Sequence, residues 1–130
     1  YLRMASPDFQ NNNLIPVVAQ DAASGRVLML AYMNAQAYRE TLATRRVCYW
    51  SRSRRKLWRK GEQSGNVQHV KQVFYDCDAD AILVQVKQVG GAACHEGFES
   101  CFYSEVNLST GDITVSAERV FDPAAVYGKA

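Results

Sequence analysis

The chain has 130 residues, 48% of them hydrophobic and 22% charged, with a net charge of +2. That is the profile of a single domain, residues 1–130, that buries about two-thirds of its unfolded surface. No apolar run reaches the ~18 residues of a membrane span and residues 1–6 lack the apolar core of a secretory signal, so the chain is read as cytoplasmic, with no membrane partner.

Two β-prone apolar runs, residues 14–19 and 27–32, flank the turn-rich stretch Asp21-Ala22-Ala23-Ser24-Gly25, which predicts a hairpin. Asn34 is placed to cap a helix running to about Thr44, where Ala35, Tyr38 and Leu42 recur at helical spacing. Residues 47–50 predict a short strand. Residues 51–66 are basic, contain Gly61, Ser64 and Gly65 and show no periodicity, so they are expected to form a long loop of the kind that carries function. Trp50 and Trp58 argue against simple disorder there. Residues 67–75, 81–89, 101–108 and 113–120 predict further strands, broken by Gly90-Gly91 and by Ser109-Thr110-Gly111-Asp112. Strands outnumber helices and most connections suit hairpins. The expected class is α+β, a mainly antiparallel sheet with one or two helices in a single compact domain.

Four cysteines are present, Cys48, Cys77, Cys94 and Cys101. An even count allows two disulfides, but nothing suggests secretion, and a chain of this length is stable without bridges. Spacings of 17 and 7 residues separate Cys77, Cys94 and Cys101, which is neither a zinc-finger pattern nor CxxC. A free cysteine is by default a core residue, and Cys48 is read so. Cys94 and Cys101 depart from that default because they flank the polar stretch His95-Glu96-Gly97-Phe98-Glu99-Ser100. Three thiolates would leave a fourth zinc position open to water, the layout of a catalytic zinc site. His95 is open to three readings: a fourth ligand, a proton-transfer group or an ordinary loop residue. Its place next to a ligand in sequence favours proton transfer. His69 falls within a strand pattern and is read as structural.

Asp76, Asp78 and Asp80 are spaced so that an extended backbone would put all three carboxylates on one face, with Cys77 on the other. Like charges about 7 Å apart repel, and a bound hard cation such as magnesium would relieve them. A solvated acidic turn is the competing reading. An EF-hand loop is excluded, because Ala81 stands where its glycine belongs and Lys87 where its bidentate glutamate belongs. Residues 45–60 hold eight of the 15 Lys and Arg, and mix them with hydroxyls, glycines and indoles. Arginine pairs with phosphate oxygens, glycine admits an anion to the backbone and an indole stacks on a base. A phosphate or nucleic-acid site and a solvated basic face both fit this stretch.

Together, Val18-Ala19-Gln20-Asp21, residues 27–34, Tyr49-Trp50-Ser51-Arg52-Ser53-Arg54, Leu57-Trp58-Arg59-Lys60-Gly61-Glu62, Ser64-Gly65-Asn66, Asp76-Cys77-Asp78-Ala79-Asp80 and Cys94-His95-Glu96-Gly97 … Ser100-Cys101-Phe102-Tyr103 resemble the phosphoribosyl-AMP cyclohydrolases of histidine biosynthesis. The resemblance runs in order from about residue 14 to residue 103. It implies a homodimer with zinc on Cys77, Cys94 and Cys101, drawn from both subunits, and magnesium on Asp76, Asp78 and Asp80. It implies hydrolytic opening of the adenine ring of phosphoribosyl-AMP, with His95 moving protons. Trp50, Ser51, Arg52, Arg54, Lys60, Ser64, Gly65 and Asn66 would bind the substrate. A monofunctional form is expected, with no second, pyrophosphohydrolase domain. The rival from another class is a zinc-stapled nucleic-acid-binding module, against which the weak net charge counts, so no nucleic-acid partner is expected. A purine deaminase would need H-x-E followed by P-C-x-x-C, and neither is present.

Overall fold

A computed structural model of the chain describes residues 6–126. In chain order its elements are β1 (Ile15–Asp21), β2 (Val27–Met33), α1 (Ala35–Thr44), β3 (Cys48–Ser51), β4 (Lys56–Arg59), β5 (Gln68–Tyr75), β6 (Ile82–Gln88), a 3-10 turn at Val89–Gly91, β7 (Ser104–Val106), β8 (Ile113–Val115) and the short α2 (Pro123–Val126). Alternation in β1 sends Ile15, Val17 and Ala19 into the core, and the same period in β6 buries Ile82, Val84 and Val86. These strands form the centre of a four-stranded sheet in the order β2-β1-β6-β5. The β1–β6 pair is parallel, with Val17 opposite Ile82, and every other strand pair is antiparallel. The expected first hairpin is present. Its turn is tied by the Asp21 carboxylate, which accepts from the amides of Ala23 (3.1 Å) and Ser24 (2.6 Å).

The helix begins where expected, because the Asn34 side chain accepts from the Ala37 amide at 2.8 Å, and it ends at Arg45 in a left-handed cap. It buries Ala37 and Thr41 against β3. The Thr41 hydroxyl accepts from the Cys48 amide at 2.9 Å and lies 2.9 Å from the Ala37 carbonyl, joining helix to strand. Next to Cys48, the fully buried Tyr49 donates to Gln68 at 2.7 Å, and Gln68 donates to Gln88 at 2.9 Å, so a polar chain satisfies each group as it crosses the core. Thr41→Val keeps the volume but leaves the buried Cys48 amide without an acceptor. The expected cost is about 1–3 kcal/mol, read as a lower urea midpoint at unchanged slope.

The α+β class, the largely antiparallel sheet and the helix after Asn34 match expectation. Residues 51–66 do not form one long loop: residues 56–59 pair with β3 as β4, with Tyr49 opposite Trp58 and Cys48 opposite Arg59. The strands expected over 101–108 and 113–120 shrink to the three-residue β7 and β8. Asp76, Asp78 and Asp80 sit on a tight turn, not on an extended strand. Ala79 there is left-handed at φ 60°, its amide bonds back to the Asp76 carbonyl, and the Asp80 amide bonds to the Asp76 carboxylate. The three carboxylates therefore gather around a reversal of the chain rather than along one face of a strand. Most of the opening stretch read for a signal, and the last four residues, lie outside the described residues.

Candidate active site

The β3–β4 hairpin, the loop after it, the loop at residues 93–97 and the start of α2 enclose a cleft of about 600 Å³. It is a small-molecule size. Ser51, Arg54, Lys60, Ser64 and His95 all line it, so five of the residues singled out in the sequence meet in one place. The hairpin turns through Arg55, left-handed at φ 55°, whose amide bonds to the Ser51 carbonyl at 2.8 Å. The chain then folds back tightly at Gly61, where φ is 88° and any Cβ would strike the Val67 amide nitrogen, so only glycine fits. The Gly65 amide closes this loop on the Gly61 carbonyl at 2.7 Å.

Lys60 is buried, with only 6% of its surface exposed, and its ammonium donates to the Ala93 carbonyl and lies 5.4 Å from the centre of the Trp58 ring. Burial pulls its pKa down, while the Cys101 and Cys94 sulfurs act in the opposite direction. Those two cysteines are neighbours. Cys94 is buried and its sulfur accepts from the Glu96 amide at 3.4 Å. The Cys101 amide bonds to the Leu28 carbonyl at 2.6 Å, which pins the thiol at the end of β2. Cys101 keeps an exposed side, yet enough protein surrounds its sulfur that burial and the adjacent Cys94 push its pKa up to about 12, with Lys60 opposing. Two thiols side by side suit a soft cation, and the amide donor and nearby ammonium favour their thiolate form. The thiols are only two ligands, however, and a zinc site needs at least three.

Cys77, the third expected ligand, is exposed in the acidic turn between β5 and β6. Tyr75, just before that turn, pairs with Ile82 at the start of β6, whereas Cys101 hangs from Leu28, which sits between the levels of Val84 and Gln85 and two strands away across the sheet. About 8 Å along the strands and about 10 Å across them separate those two points, before any loop is added. Among the described residues, no three His, Cys, Asp or Glu side chains converge to hold a metal ion. In the acidic turn itself, Asp76 is held low by the Asp80 amide, and Asp80 is raised by desolvation and by its contact with the Asp76 carboxylate. A crowded carboxylate pair of this kind fits a hard cation that keeps several waters.

Four of the expected substrate residues do not line the cleft. Trp50 is in β3, and the Arg52 guanidinium stacks over the Tyr32 ring at 4.0 Å. Gly65 shapes the loop, and the Asn66 carbonyl accepts from Gln88 at 2.8 Å. Trp58, Glu62 and Glu96 do line it. Trp58 had no signal beyond its own aromaticity, because the strand that aims it was hidden in a basic run. Arg59 is engaged elsewhere, with two bonds to the Glu40 carboxylate at 2.7 and 2.9 Å. Cys48 is buried as expected, and desolvation pushes its thiol up to about 12, so it is protonated and unreactive at neutral pH. His69 lies in β5 and bridges to Arg46.

Residues 29–103 match the sequence profile described as phosphoribosyl-AMP cyclohydrolase. The chain is 54% identical over 121 residues to a protein of that name from Chloroherpeton thalassium, covering 93% of this chain and 86% of the other. A second, from Pelotomaculum thermopropionicum, is also 54% identical, over 93% of this chain and 92% of its own. A third, from Desulfatibacillum aliphaticivorans, is 52% identical over 128 residues, which is 97% of this chain and all of the relative. The matched span contains the β3–β4 hairpin, the basic loop, His95 and all four cysteines, and the chain belongs to the phosphoribosyl-AMP cyclohydrolase family and is an enzyme of that type.

Proposed function

We propose that this chain hydrolyses the N1–C6 bond of the adenine ring of phosphoribosyl-AMP, a cytoplasmic step of histidine biosynthesis that gives the formimino-carboxamide ribonucleotide. The observation that carries this reading is the single cleft in which Arg54, Lys60, Ser51 and Ser64 face His95, beside the Cys94–Cys101 pair. Substitution at N1 makes C6 electrophilic, and loss of N1 from the adduct opens the ring without releasing ammonia.

Arg54 supplies forked donors for a phosphate, and Arg52, stacked on Tyr32 outside the cleft, is the second cation expected to serve it. Lys60 keeps two of its three N–H donors after its bond to Ala93 and adds positive charge at the cleft wall. Ser51 and Ser64 are at hand for ribose and phosphate oxygens, and Trp58 offers a face for the base. His95 takes a proton from the attacking water and returns it to N1 as that bond breaks.

Cys94 and Cys101 of one chain, with Cys77 of a second, are the residues that would hold zinc, in a homodimer. Bound there, zinc supplies Lewis acidity that makes water a nucleophile near neutral pH. Asp76, Asp78 and Asp80 would hold magnesium, which offsets phosphate charge.

Purified protein given phosphoribosyl-AMP is expected to produce the absorbance change of an opened purine with no ammonia. Ammonia release, or turnover of AMP or adenosine, would indicate deamination instead. Salt-dependent RNA or DNA binding without hydrolysis would favour a zinc-stapled binding module.

A further inference from the structure

His95 lines the cleft, yet its side chain is exposed and its ring meets no hydrogen-bond partner among the described residues. Where that ring stands is therefore decided by the backbone of residues 94–98. The loop ties itself in part: the Gly97 amide donates to the Cys94 carbonyl at 2.9 Å, and the Cys94 amide to the Phe98 carbonyl at 3.1 Å. These bonds leave the carbonyls of Glu96 and Gly97 to be met from elsewhere.

The stretch after β8 meets them. Arg119 donates from Nε to the Glu96 carbonyl at 2.8 Å, and the Val120 amide donates to the Gly97 carbonyl. The Arg119 guanidinium also lies 5.5 Å from the centre of the Phe98 ring, which is itself stacked on Tyr103. The approach is close, since a Cβ on Gly97, where φ is 93°, would strike the Phe121 carbonyl. Beyond it the Asp122 carboxylate accepts from the Ala124 amide at 3.0 Å, and Pro123 and Ala124 form part of the cleft wall. Residues 119–124 are thus a strap laid along the His95 loop and into the cleft.

We propose that Arg119 is a positioning residue for the reaction, holding the His95 ring in the cleft through the Glu96 carbonyl. Two cations bracket His95: Lys60 on the Ala93 carbonyl before it and Arg119 on the Glu96 carbonyl after it. Lys60 is buried in the cleft wall, whereas Arg119 is exposed and does not line the cleft. Its effect on the reaction therefore runs through the loop that it holds. The proposal rests on the proton-transfer role given to His95 above, whereas the bonds between strap and loop stand independently of it.

The test uses the full chain purified with zinc and assayed on phosphoribosyl-AMP. Arg119→Gln keeps an N–H donor on Cδ, where arginine carries Nε, while Arg119→Met keeps the length and loses the donor. Arg119→Met should lower kcat about 10- to 100-fold, the cost of a reacting group held about 1 Å out of place, with KM and the urea midpoint near wild type. Arg119→Gln should recover most of that loss. In the His95→Ala background Arg119→Met should cost nothing further, because the ring it positions is gone. Histidine-selective isotope labelling gives a readout independent of turnover, since the chain has two histidines. Arg119→Met should shift and broaden the His95 ring signals and leave those of His69 unchanged. Wild-type kcat and His95 signals in Arg119→Met overturn the proposal, as does an equal loss in the His95→Ala background. A Gln variant as poor as the Met variant, with a raised KM, overturns it too and makes Arg119 a cation for the substrate. If His95→Ala alone keeps full kcat, the proton-transfer reading fails and takes the catalytic half of the proposal with it, while the ring signals still decide whether Arg119 places His95.

Discussion

Cys101→Ser protein is expected to retain almost no zinc and to show no measurable ring opening, against about one zinc per chain expected in the wild type, where three thiolates and a water would complete one tetrahedral site. Cys94→Ser and Cys77→Ser should behave alike, while Cys48→Ser, whose thiol lies buried under α1 and is held protonated, should keep both zinc and activity. Metal analysis of the purified variants and the absorbance assay make the measurement. Full zinc occupancy in any of the three variants removes that cysteine from the site.

The position of Cys77 adds a sharper expectation. If the set is completed across two chains, a heterodimer of Cys77→Ser and Cys101→Ser chains has one site missing both thiols and one site intact. Random reassembly makes half the dimers mixed, so the mixture should regain about one quarter of wild-type activity from two inactive parents. A mixture that stays inactive although mixed dimers form would mean that each site is built within one chain.

His95→Ala should keep its zinc, its fold and a near-normal KM, while kcat falls by about 10²–10⁴-fold, the usual worth of a positioned proton-transfer group. The side chain is exposed and lines the cleft opposite Arg54 and Ser64, and it makes no hydrogen bond that the fold depends on. Removing it should therefore leave the free energy of urea unfolding within about 0.5 kcal/mol of wild type. Loss of zinc in this variant would make His95 a ligand, and unchanged kcat would make it a bystander.

Particular elements show which parts of this molecule were legible before its structure. The first hairpin and α1 were, because their signals are local. Two apolar runs flank an Asp-Gly turn, and an asparagine stands where a helix needs a cap. β4 was not, since four residues with two cations and a single Leu-Trp pair have no period of their own. They become a strand only because β3 lies alongside. The acidic triplet was misplaced for a related reason. Its spacing suits an extended face, but the antiparallel pairing of β5 with β6 forces a reversal there, which Ala79 accommodates in the left-handed region. The strands expected to run to Leu108 and Val120 were too long because apolar content marks a face to be covered, not the length of the ladder that covers it.

The residue types suited to the proposed chemistry, namely soft cysteine sulfurs, paired carboxylates, a histidine beside a cysteine and a basic loop, were set by the sequence alone, because donor chemistry is a property of single side chains. Which of them meet was decided by the tertiary structure. The turns at Arg55 and Gly61 fold Arg54, Lys60 and Ser64 back toward His95, from more than thirty residues away in the chain. The same fold sets Cys77 in the turn before β6 and hangs Cys101, with Cys94 beside it, from β2 two strands away. Sequence spacing carries no information about that separation, because a strand converts a few residues into a fixed length and direction that only the paired sheet defines.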